Sequence, residues 1–151
     1  VRWVIKILGS VFFSGYCPLF PATVGSAVIC VAYWFFVPQR PGVQATIIGV
    51  VFLLGLYLSS KLMMEWGPDP RRVVIDEAAG MLLSLFMLPR SLSLVVVAFL
   101  LFRFFDIVKP FPIRRVESLE SAWGIMLDDV LAGVYARLGV FVVYFTWSSL
   151  G

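Results

Sequence analysis

Histidine is absent from this chain of 151 residues, cysteine occurs only twice, and charged side chains make up just 14% of it. Without histidine there is no imidazole nucleophile, general base or zinc ligand, so a histidine-dependent lipid phosphatase is excluded. Cys17 and Cys30 form no CxxC pair, which removes a zinc site or a disulfide framework. Thr23 and Phe36 stand six residues after them, where a C-x5-R cysteine phosphatase needs arginine. Both cysteines read as packing residues. The D-x-D start of a dehalogenase-type phosphatase is missing as well.

The scarcity of charge is the more informative absence. Soluble domains are about 45–50% apolar and about 25% charged, whereas this chain is 61% hydrophobic, with a mean hydropathy of +0.98. Its expected solvent is lipid. The apolar runs are continuous and lack the alternation of a transmembrane β-barrel. The net charge of +3 includes no basic tract, so no nucleic-acid partner is expected, and no obligate protein partner is evident.

What is present reads as one all-α domain over 1–151, a polytopic membrane helical bundle of about four to five transmembrane spans. Spans are expected near 23–38, 43–62, 73–89, 91–108 and 124–147. Breakers separate them: Pro38 to Gly42, Gly67 to Pro70, Pro89 with Arg90, and Pro110 to Pro112. The opening stretch VRWVIKILGSVFFS has a basic start and an apolar centre but no A-x-A-like cleavage site, so it is read as a retained interfacial or re-entrant segment. With five spans, Arg2, Lys6, Lys61, Arg71, Arg72, Arg103, Lys109, Arg114 and Arg115 fall on one side and Arg40 and Arg90 on the other. Nine against two places the first side in the cytoplasm.

The acids then fall into a pattern. Asp76 and Glu77 begin the third span, Asp106 ends the fourth, and Asp128 and Asp129 open the fifth, all toward the cytoplasmic side. An ionised side chain inside a span costs at least ~2.5–3.5 kcal/mol on insertion scales, so these five need cations. Arg103 and Lys109, each three residues from Asp106, offset part of the charge. A metal ion held by oxygen ligands, Mg²⁺ in preference to zinc or copper, would balance the rest. The plain alternative is helix capping and interhelical ion pairing. Three helices delivering acids to one depth is more than capping requires.

Gly80, Gly124, Ala132 and Gly133 lie four residues from one or another of these acids, a spacing that lets helices pack closely around them. In GYCPLFPATVGS, residues 15–26, Thr23, Gly25 and Ser26 offer N–H groups and hydroxyls where the first span begins, a candidate anion site beside the plain reading of a helix cap.

Four blocks, GYCPLFPATVGS at 15–26, VIDEAAGM at 74–81, FRFFDIVKPFPIR at 102–114 and GIMLDDVLAGVYA at 124–136, together resemble the phosphatidylglycerophosphatase A family of bacterial membrane lipid phosphatases. Ala22 departs from the glycine expected in the first block. The resemblance implies Mg²⁺-dependent hydrolysis of phosphatidylglycerophosphate to phosphatidylglycerol and inorganic phosphate in phospholipid biosynthesis, at the cytoplasmic face of the bacterial inner membrane. It implies Asp76, Glu77, Asp106, Asp128 and Asp129 as the acidic, metal-holding site, with Lys109 beside the phosphate. Thr23, Gly25, Ser26, Arg103 and Arg114 stand as phosphate-binding candidates. Which acid is ligand, base or nucleophile is left open. Two rival readings are weighed against this one. A phosphatidyltransferase lacks its D-x2-D-G-x2-A-R pattern here, and a small ion or proton transporter would need polar residues along the whole bilayer.

Overall fold

The computed structural model describes residues 2–67, 70 and 72–151. Among these the chain is all-helical: α1 (Arg2–Gly9), a 3-10 turn (Ser14–Tyr16), α2 (Pro21–Phe36), α3 (Pro41–Trp66), α4 (Ile75–Ser84), α5 (Leu92–Val108), α6 (Ile113–Glu117) and α7 (Ala122–Leu150). The separators behave as their chemistry dictates. Pro21 and Pro41 open α2 and α3, where the missing N–H would have had no intrahelical partner. α5 ends at Lys109, which turns into the left-handed region at φ 49, and Pro110 prevents continuation. Pro68 and Asp69 of the second separator, and Arg71 of the basic side, lie outside the described residues.

Four expected spans map onto α2, α3, α5 and α7 with shifted ends. Two of them, α3 and α7, are long and apolar enough to cross a membrane. The third differs. Residues 73–89 hold only the ten-residue α4, about 15 Å long, half of a ~30 Å hydrocarbon core, followed by turns. Eight of its ten residues are buried, because α4 is the centre of the bundle and packs on α2, α3, α5 and α7.

Backbone that leaves a helix inside a bundle must find partners there. Beyond α4, Arg137 donates from Nε to the Phe86 carbonyl at 2.7 Å and Tyr33 donates to the Leu88 carbonyl at 2.9 Å. The Met87 N–H donates to Gln44 Oε1 at 2.7 Å, and Arg90 donates to the Val37 carbonyl at 2.5 Å. This network closes the end of the bundle remote from the acids.

The contacts fix the course of the chain. Gly25 lies by Glu77 and Tyr33 by Leu88, so α2 runs with α4; Gly55 lies by Ile75 and Gln44 by Met87, so α3 runs against it. α7 runs with α4 and α5 against both. The start of α2, the end of α3, the starts of α4 and α7, the end of α5 and all of α6 thus share one end. α1 packs on α3 at that end, with Lys6 2.6 Å from Glu65 and its ammonium 5.6 Å from the Trp66 ring centre. Outside, Phe35 and Phe36 of α2, Leu53 of α3, Leu100 and Phe104 of α5, and Phe141, Val142 and Phe145 of α7 are exposed. So broad an apolar exterior suits lipid as its solvent.

Candidate active site

The acids meet because α4 and α7 touch backbone to backbone. A Cβ on Gly133 would stand 2.3 Å from the Gly80 carbonyl oxygen, and one on Gly80 would stand 2.4 Å from that of Asp129. Only hydrogen fits at either position. The close approach brings the first turn of α4 against the second turn of α7, and carboxylate oxygens of Asp76, Glu77 and Asp129 lie within 4.8 Å of one another. Glu77 and Asp129 are buried and Asp76 is partly buried. Asp76 Oδ1 and Glu77 Oε2 have no hydrogen-bond partner among the described residues.

Three carboxylates so placed repel one another, and two oxygens that lack donors have lost their hydration without replacement. A hard cation satisfies both demands at once. The trio can therefore hold a metal ion, and its all-oxygen donor set fits one that takes oxygen ligands.

Of the five acids expected together, the other two carry their own cations. Asp106 accepts from Arg103 at 2.6 Å, across the predicted i,i+3 spacing. Asp128 accepts from Lys109 at 3.0 Å and from the Asp129 N–H at 2.9 Å. The expectation that Lys109 serves Asp106 is corrected here. The left-handed turn at Lys109 swings its side chain off the α5 face to Asp128, and to Glu117 at 2.5 Å. Burial draws the Lys109 pKa down, but the Glu117 hydrogen bond and the Asp128 charge outweigh it and hold the ammonium above the ordinary lysine value.

All five acids and Lys109 line one cavity of about 730 Å³ at the shared end of the bundle. Pro21 and Ala22 at the start of α2 form part of its wall, as do Glu117, Ser118 and Ser121 around α6. The phosphate-binding candidates are more scattered. Gly25 faces Glu77 and Val74, where an added Cβ would lie 3.3 Å from Glu77 Oε2. Ser26 is fully buried and donates to the Ala22 carbonyl at 3.0 Å. Thr23 sits in the first turn of α2 outside the cavity wall, and Arg103 is taken up by Asp106. Arg114 is exposed on a neighbouring groove. Glu117, at the end of the short α6, carries no motif that marks it in the sequence. Its role as the second acceptor of Lys109 depends on α6 folding back on α7.

A family model described as phosphatidylglycerophosphatase A matches residues 7–144. A Bacteroides thetaiotaomicron protein named "Putative phosphatidylinositol-3-phosphatase" is 40% identical over 138 residues, covering 86% of this chain and 87% of its own. A Haemophilus influenzae phosphatidylglycerophosphatase A is 47% identical over 97 residues, 62% of this chain and 60% of that one. The Escherichia coli phosphatidylglycerophosphatase A is 31% identical over 149 residues, 96% and 85% of the two chains. No solved structure matches. With the match spanning all four sequence blocks and the whole carboxylate cavity, the chain belongs to the phosphatidylglycerophosphatase A family of phosphatases.

Proposed function

We propose that the protein hydrolyses phosphatidylglycerophosphate to phosphatidylglycerol and inorganic phosphate, with Mg²⁺ as cofactor, at the cytoplasmic face of a bacterial inner membrane. The observation that carries this reading is the trio Asp76, Glu77 and Asp129, with two buried oxygens lacking donors, at a cavity edged by a lysine. Membership in a phosphatase family leaves the phosphatidyltransferase and transporter readings without support.

The trio would hold the ion. Bound there, Mg²⁺ supplies positive charge against a phosphate dianion and acidity to an attacking water. Lys109, kept charged by Glu117 and Asp128, adds a second cation at the cavity and draws the terminal phosphate toward the acids. Hydrolysis forms one bond from water oxygen to phosphorus and breaks the bond from phosphorus to the glycerol oxygen, which leaves with a proton. Asp106 and Asp128 line the same cavity and are the carboxylates in reach of that proton traffic.

The alternating course of α2, α3, α4, α5 and α7 supports five membrane-embedded segments, the third of them a half-length helix enclosed by the others. The nine-to-two basic bias supports the cavity end as cytoplasmic. A second substrate reading comes from the Bacteroides relative, whose name specifies a phosphoinositide. Phosphate release by detergent-solubilised protein from phosphatidylglycerophosphate and from phosphatidylinositol 3-phosphate tests both. Release from the former at the higher kcat/KM is expected, whereas preference for the latter would reassign the substrate, and release from neither would remove the reading.

A further inference from the structure

Beside the carboxylate cavity lies a second groove of about 600 Å³, and the two share Lys109 and Ser118 in their walls. Its other cations are Arg114 and Arg115, both exposed and without an ion-pair partner among the described residues. Arg114 donates only to the Val108 carbonyl, at 3.3 Å, and the Arg115 guanidinium stands 5.3 Å from the Phe111 ring centre. Among the described residues no acid lines the groove. Its apolar edge is open, with Phe111 72% exposed and Val108 45% exposed. Lys109 is ion-paired with Asp128 and Glu117 on the side of the cavity, which leaves the two arginines as the groove's unpaired cations among the described residues.

We infer that this groove holds the internal phosphodiester of the lipid substrate while the terminal phosphate occupies the carboxylate cavity. The inference rests on the proposed hydrolysis of phosphatidylglycerophosphate, whose two phosphates are separated by one glycerol. A diester carries a single negative charge and accepting oxygens, which guanidinium groups bind in forked geometry. The groove begins at Lys109, where the cavity ends, so one lipid headgroup extends from the first into the second. Past the arginines, Phe111 and Val108 give the acyl chains an apolar exit at the edge of the bundle. Arg114 and Arg115 are thereby specificity residues, selecting a lipid with a second phosphate over one that carries only the monoester.

The test compares the full-length enzyme with Arg114→Gln, Arg115→Gln and the double variant in mixed micelles, on phosphatidylglycerophosphate and on phosphatidic acid, which has no diester. Both side chains are exposed, and circular dichroism verifies the fold. The expected result is a rise in KM for phosphatidylglycerophosphate of about tenfold in the double variant, with kcat changed far less. The preference over phosphatidic acid should fall by a similar factor. Equal losses on both lipids, or no change in KM, would overturn the inference while leaving the hydrolysis itself standing. A wild-type enzyme inactive on phosphatidylglycerophosphate would overturn both.

Discussion

Asp129 is an acid whose replacement separates charge from shape cleanly, because asparagine keeps its volume and the residues one turn on, Ala132 and Gly133, are small. Groups that merely orient a metal's ligands cost about 10–100-fold when changed, so loss of a ligand itself should cost more. We expect Asp129→Asn to lower kcat/KM by at least about a hundredfold in a phosphate-release assay with the fold retained. Activity within a few fold of wild type would make Asp129 a structural residue. Lys109 gives a pH prediction. Its folded pKa is raised, so its ion pairs with Glu117 and Asp128 contribute in full below the ordinary lysine pKa of about 10.4 and are lost only as pH rises through the higher folded value. The stability difference between wild type and Lys109→Met should therefore persist at about pH 9; its disappearance by that pH would show the lysine to be unpaired. The five acids and Lys109 were identifiable in the sequence because charge is conspicuous in an apolar chain. Their partition into a trio and two ion pairs was not, since it turns on the backbone at Lys109 and on α6 returning to α7.

Among the elements, α4 and α7 decide whether the site exists. Gly133→Ala would drive a methyl into the Gly80 carbonyl, and overpacking of this kind costs about 1–3 kcal/mol. Thermal unfolding in detergent should register that loss, and activity should fall with it as the trio is pulled apart. Gly139→Ala is the control, because its added Cβ meets only the end of the flexible Leu101 side chain. Equal effects at both glycines would remove the special role of the α4–α7 contact. Arg137 stands within the apolar stretch of α7, and its partner is the Phe86 carbonyl of the same chain. Arg137→Met should cost about 1 kcal/mol or somewhat more through an unsatisfied, part-buried carbonyl. An unchanged melting temperature would contradict that assignment. Close packing at Gly80 and Gly133 could be foreseen from their four-residue spacing to the acids, but not that the two glycines meet each other. The early end of α4 could not, because an apolar run reads alike as helix or buried turn, and the hydrogen-bond partners that satisfy the turn come from α2, α3 and α7.

For the whole molecule, the apolar exterior and the gathering of the acids at one end both suit a chain whose solvent is lipid. Topology can be probed in intact cells with a membrane-impermeant thiol reagent after Cys17 and Cys30 are replaced by serine. A cysteine at position 149 should be labelled and one at position 120 protected; the reverse pattern would invert the orientation.

The most direct test of the metal-centred chemistry is a Mg²⁺ titration of phosphate release from phosphatidylglycerophosphate, run on wild type and on Asp76→Asn after chelator treatment. We expect no release without metal, saturable restoration by Mg²⁺ in wild type, and a Mg²⁺ requirement shifted upward by about tenfold or more in the variant. Release that persists in chelator, or a variant with the wild-type Mg²⁺ dependence, would contradict a metal held by Asp76, Glu77 and Asp129.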